Sequence, residues 1–185
     1  MKSFLDTEYI KFSKIKKSKK KDFYEIIQIG CINTDNNFKI LKKLNIYLKP
    51  RIKKKIPTRI TKLTSITQKI LDRNGIDFEE GIFRLNQFLR NTKVVFSNGR
   101  DDKIIKANQK LIKSKITLND VKFYNIQPWI QKTFKSKKWV RISDFKKNLK
   151  IKDNLKSHVA INDVKVMIKT LKILHKRGNK LRLEN

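Results

Sequence analysis

Residues 23–48 constrain the fold more than any other stretch. Phe23 to Asn33 is rich in Ile with few breakers, and reads as a long, largely buried strand. Thr34-Asp35-Asn36-Asn37 is a turn signal. Phe38 to Leu48 resumes as a strand, with Phe38, Ile40, Leu44, Ile46 and Leu48 at mostly even spacing. Strand, turn and strand make an antiparallel hairpin. Residues 3–6 add a short strand ahead of it, separated by a lysine-rich loop. Beyond Pro57 the period changes. Leu63 to Leu71 predicts a short helix, and Asp77 opens another on which Phe78, Ile82, Leu85 and Leu89 share a face. Val94-Val95-Phe96 reads as a strand, Asp102 to Leu111 as a helix, Val121 to Tyr124 as a strand and Pro128 to Phe134 as a helix. A short helix over Ser143–Leu149 takes Ser143 as its N-cap, and the last runs from Ala160 to His175. The apolar stripe Val164, Met167, Ile168, Leu171 and Leu174 is core. This order predicts an α/β domain over 1–185: a mixed five-stranded sheet with a three-strand antiparallel start, then strands alternating with helices.

Charge narrows the partners. The 185 residues hold 47 Lys+Arg against 16 Asp+Glu, a net charge of +31. A polyanion is the natural partner, nucleic acid first, because each neutralised phosphate releases counterions. An anionic membrane would call for a basic amphipathic helix or a lipidation signal, and neither is seen at the termini. Lys, Ile and Asn are abundant together, as an AT-rich genome imposes on any protein, so charge supports a nucleic-acid partner without establishing one. Lysines cluster at 14–21, at 51–55 and at 135–138, the last run followed by Trp139 and Arg141. By default these are solvated loops, though three such runs could also line one groove that tracks a phosphate backbone. Trp129, Phe134 and Trp139 read as packing residues rather than base platforms. The single cysteine, Cys31, excludes a disulfide framework and fits a reducing compartment. With no apolar span of bilayer length, the expectation is a soluble, cytoplasmic protein.

Acids are scarce, so their placement is informative. Asp6 and Glu8 end the first strand, and positions i and i+2 share a face. Two carboxylates on one face repel unless a cation lies between them, and hard oxygen ligands suit Mg²⁺ or Mn²⁺. Taken alone, such a pair is two solvated acids. Asp101 and Asp102 follow the strand at 94–96 and a Gly-containing turn, where ligands of α/β folds gather. Either could cap the helix while the other binds metal. His158 and Asp163 stand at the start of the last helix, and His175 is the only other histidine.

These pieces together resemble the DnaQ-like, or DEDDh, 3′–5′ exonuclease superfamily. Asp6-Thr7-Glu8 resembles its DxE motif, and Ile26-Ile27-Gln28-Ile29-Gly30-Cys31-Ile32 its "IIQIGAV" strand. Leu48-Lys49-Pro50, Ile56-Pro57 and Leu63-Thr64-Ser65-Ile66-Thr67 resemble "VKP…IP…LTGIT". Asn98-Gly99-Arg100-Asp101-Asp102 resembles the "WGxxD" of the sporulation-inhibitor-type and RNA-trimming branch, a register that selects Asp102. His158 and Asp163 fit HxAxxD. Ser65 replaces the glycine of LTGIT, and Asn98 the tryptophan of WG.

The resemblance implies a ribonuclease H-like fold. It implies two Mg²⁺ or Mn²⁺ ions on Asp6, Glu8, Asp102 and Asp163, with His158 as general base for water attacking the last phosphodiester. Thr7, Tyr9, Leu63 and Ile66 are the expected contacts to the 3′-terminal nucleotide. The expected substrate is a single-stranded 3′ end, RNA before DNA. The alternatives are a DNA proofreading exonuclease and a non-catalytic basic nucleic-acid-binding module on the same fold.

Overall fold

The computed structural model of the chain describes residues 1–16, 19–179 and 181. Among these residues, six strands form one mixed sheet in the order β4-β3-β2-β1-β5-β6. These are β1 (Lys2–Lys16), β2 (Lys19–Thr34), β3 (Ile40–Leu48), β4 (Gly75–Ile76), β5 (Val94–Ser97) and β6 (Lys122–Asn125). The first three pair antiparallel, whereas β4, β5 and β6 add parallel. The sixth strand is the two-residue β4, too short to carry a sequence period.

Among the described residues, seven helices cover the sheet: α1 (Thr58–Thr64), α2 (Gln68–Asn74), α3 (Phe78–Leu89), α4 (Asp101–Ile112), α5 (Gln127–Thr133), α6 (Ile142–Leu149) and α7 (Ala160–Lys176). Alternation along β1 and β2 divides the core. Phe4 and Ile32 pack with Phe145, Met167 and Leu171 on the α7 face. Leu5, Ile29 and Cys31 pack with Ile82, Leu85 and Ile105 on the α3 and α4 face. A third cluster, Ile10, Ile27, Ile60, Ile66 and Leu71, seals α1 and α2.

The structure differs from the sequence reading in instructive places. The lysine-rich stretch expected as a loop continues β1 and β2 as a hairpin out to the Lys16↔Lys19 pair, with Lys17 outside the described residues. Cross-strand contacts explain the extension: Phe12 stacks on Phe23 at 5.6 Å, Lys11 meets Asp22 at 2.7 Å, and the Ser13 hydroxyl donates to Asp22. The helix expected over 63–71 is broken at Ser65, which sits at φ 61°, ψ 8° and caps α1. That left-handed conformation favours glycine, the residue of the LTGIT pattern. Thr67 caps α2, its hydroxyl accepting from the Ile70 N–H at 3.2 Å. Helix α6 starts a residue earlier than expected, its N-terminus closed by Asp144 accepting from the Arg141 N–H at 2.8 Å, so Ser143 is not its cap.

Gly30 positions the start of α7. A Cβ there would lie 2.4 Å from the Ile161 nitrogen and 2.5 Å from the Ala160 carbonyl carbon, so only glycine lets the helix start rest on the sheet. Gln28 completes the joint by accepting from the Ala160 N–H at 3.0 Å. Gly30 pairs across the strands with Asp6, which places the α7 N-terminus over the DxE segment.

Candidate active site

A cleft of about 760 Å³ opens over β1, between α1, the start of α4 and the start of α7. Asp6, Glu8, Asp101 and Asp163 line it, with His158 at its rim. Glu8, His158 and Asp163 each bring a ligand atom within 4.8 Å of the others. The Thr7 hydroxyl holds Asp101 by donating to Oδ1 at 2.7 Å. The His158 N–H, on a residue at φ 59°, donates to Asp163 Oδ2 at 3.1 Å.

Asp101, not Asp102, joins this cluster, which corrects the register expected from WGxxD. Helix α4 begins at Asp101, and consecutive helical residues diverge by about 100°. Asp102 therefore faces out, pairing with Arg100 at 3.3 Å. Ile66 is also displaced from its expected role, being 1% exposed in the third core cluster and absent from the cleft lining. Thr7, Tyr9 and Leu63 do line the cleft, and Leu63 is exposed.

The electrostatics record how crowded the acids are. Burial, then the charges of Asp101, Glu8 and Asp163, pushes the Asp6 carboxyl well above its ordinary range. Burial, reinforced by Asp163 and Asp101, raises Glu8 to about 8. Burial raises Asp101 to about 6 against the opposing hydrogen bond from Thr7, and Asp163 to about 6 against that from the His158 N–H. His158 is lowered, by burial first and Arg141 second. The donor set fits a hard divalent cation: Asp163 Oδ1 is buried without a hydrogen-bond partner, and the mutual repulsion of the clustered carboxylates raises Asp6 and Glu8 further.

A family model described as exonuclease, RNase T, matches residues 3–171. The chain belongs to the RNase T exonuclease family. The chain is also similar to PolC-type DNA polymerase III of Ureaplasma parvum serovar 3, at 30% identity over 92 residues, or 50% of the chain; it spans only 6% of that polymerase's length. Its fold matches the nuclease domain of 3′hExo, described as a DEDDh family member bound to rAMP, with TM-score 0.80, 17% identity, and coverage of 100% of this chain and 96% of that one. Exonuclease I of E. coli in complex with a dA16 oligonucleotide matches with TM-score 0.71 and 15% identity, over 96% of this chain and 41% of that one. No helix among the described residues is long and apolar enough to cross a membrane.

The sequence reading took Trp139 as a packing residue and did not place Lys11, Arg59 or Arg100 at the site, whereas the cleft has a basic and aromatic rim. Lys11, Arg59, Arg100, Arg141 and Trp139 all line it. The available signal was an aromatic residue set between cations, Lys137-Lys138-Trp139-Val140-Arg141. Asn98, at the place of the WG tryptophan, instead donates its amide to the Val140 carbonyl at 3.2 Å.

Proposed function

We propose that this protein is a divalent-cation-dependent 3′–5′ exonuclease that removes nucleoside 5′-monophosphates from single-stranded 3′ ends, with RNA preferred over DNA. The observation that carries this reading is the convergence of Asp6, Glu8, Asp101 and Asp163 beside His158, in a chain whose family match spans 3–171. The reading takes 1–185 as one exonuclease domain.

The four carboxylates would hold two Mg²⁺ or Mn²⁺ ions, which when bound supply charge neutralisation at the phosphoryl group and acidify the attacking water. The chain's own residues do the rest. Thr7 fixes the Asp101 carboxylate, and the His158 N–H fixes that of Asp163. The His158 ring nitrogen accepts the water proton, and its lowered pKa keeps it neutral, hence basic, near pH 7. Tyr9 and Leu63 flank the terminal nucleotide, and Arg59 and Lys11 draw its phosphates toward the acidic floor.

RNA preference is supported by the near-complete mutual coverage with the rAMP-bound 3′hExo nuclease domain. A second reading, DNA proofreading, is favoured by the similarity to PolC-type polymerase. The deciding experiment follows 5′-labelled single-stranded RNA and the matching DNA in Mg²⁺, Mn²⁺ or EDTA. A metal-dependent ladder shortening from the 3′ end, faster on RNA, is the expected result. Faster shortening of DNA selects proofreading. Binding without shortening in either metal overturns the enzyme and leaves a basic nucleic-acid-binding module.

A further inference from the structure

The chain has two tryptophans, and they are placed differently. Trp129 is partly buried against the α7-face core. Trp139 is 55% exposed and lines the cleft. Its six-membered ring lies over Gly99, where a Cβ would be 3.6 Å from Cζ2, 3.7 Å from Cη2 and 3.8 Å from Asp101 Oδ2. The ring and an oxygen of the acidic centre thus border the same small patch of glycine backbone.

The backbone that presents this ring is pinned on both sides. The Val140 N–H donates to Gln127 Oε1 at 3.2 Å. The Val140 carbonyl accepts from Gln127 Nε2 at 2.6 Å and from Asn98 Nδ2 at 3.2 Å. Gln127 Nε2 also donates to Asn98 Oδ1 at 2.8 Å, and Gln131 Nε2 to the Lys138 carbonyl at 3.1 Å. Gln127 is 2% exposed, so its amide is committed to this joint. A fixed loop thus holds a large apolar ring over Gly99 while 55% of the residue stays in water beside an acidic centre. Arg141, two residues on, lines the same cleft and places a cation beside it.

We propose that Trp139 is a stacking platform for a nucleobase of the bound strand, within one nucleotide of the scissile phosphate, with Arg141 contacting the adjoining phosphate. The inference rests on the exonuclease reading and extends it to a base-binding subsite. Every base has a π-face, so such a platform grips without selecting sequence.

The test uses the full chain carrying Trp129→Phe, which leaves Trp139 as its only tryptophan. In EDTA, a six-nucleotide single strand is expected to quench its fluorescence. The same strand made abasic at its last three positions is expected to bind about 5- to 150-fold more weakly and to leave the fluorescence unchanged. In turnover on the intact strand, Trp139→Ala is expected to raise KM over that same range with kcat changed less than about threefold, and Trp139→Phe to restore most of the loss. Equal quenching by both strands, or an unchanged KM for the Ala variant, overturns the proposal. Base-dependent quenching in a protein that cleaves nothing in Mg²⁺ or Mn²⁺ keeps the subsite and removes the exonuclease. Cleavage without base-dependent quenching does the reverse.

Discussion

The floor and the rim of the cleft are opposite in charge and in how they are built. On the floor, Asp101 and Asp163 are buried and each is hydrogen-bonded by a neighbouring residue. On the rim, Arg59 is exposed and its guanidinium donates to the Lys11 carbonyl, at 3.2 Å. The floor is dictated by packing, so one residue's displacement is felt fully. The rim works through a summed field, so single residues count for little.

Four changes probe this contrast, in falling order of effect. Asp101→Asn is expected to lower kcat on the order of 10³-fold, the scale of a lost cation contact worth several kcal/mol. Asp102→Asn, one residue away but outside the cleft, is expected to stay within about threefold. Single-turnover rates of the two variants side by side settle which carboxylate belongs to the floor, and equal losses would reject the distinction.

Gly30→Ala comes next. The added methyl meets α7 backbone, which cannot yield as a flexible side chain does. The expected cost is about 1–3 kcal/mol, a fall in Tm of several degrees. Activity at a temperature where the variant is fully folded should fall by roughly 10²-fold, since His158 and Asp163 shift with the helix. An unchanged rate would mean that the helix start does not place them.

The third probe is pH. Glu8 rises from 4.5 to about 8, and Asp101 and Asp163 from 3.8 to about 6. The metal-free folded state therefore holds protons that the unfolded chain has released, and its stability falls as pH climbs from about 4 to about 8. His158, lowered, acts oppositely, but only below about 6.5. Calorimetry in EDTA should show Tm declining over that range. Mn²⁺ at 100 times its Kd should return about 2.7 kcal/mol, and the same total Mn²⁺ should return less at pH 5, where protons compete for the carboxylates. A metal-free Tm that rises from pH 5 to 8 would contradict the crowding.

Arg59→Gln is the mildest. A few-fold increase in KM, an unaltered kcat and a log–log salt slope shallower by about 0.7 are expected from one lost phosphate contact. Binding titrations at several salt concentrations provide the check.

Sequence patterns expose some of this molecule and conceal the rest for physical reasons. The β2–β3 hairpin, Asp6 and Glu8 on one strand face, and the stripe of α7 were all legible, because each depends on a local period. The Asp101 and Asp102 choice was not, since it turns on where one helix begins by a single residue. The hairpin through the lysines was hidden because charge reads as loop, whereas Phe12 on Phe23 and Lys11 on Asp22 supply the pairing across the chain. Ser65 conceals its helix break because serine, unlike glycine, does not advertise a left-handed φ. Trp139 reached the cleft only through Gln127 and Asn98, contacts that no spacing encodes.

In this strongly basic chain one acid sits beneath a basic loop. Glu25 is 2% exposed, and its carboxylate accepts the backbone N–H groups of Arg51, Ile52 and Lys53 at 2.5, 2.7 and 2.8 Å. The segment that follows β3 is thereby tethered from below, with its amides facing inward. Its conformational entropy is surrendered during folding, not at the moment a polyanion arrives. The backbone carrying Arg51, Ile52 and Lys53 is thus ordered before any polyanion arrives, which leaves only the side-chain rotamers of Arg51 and Lys53 to be fixed by a contact.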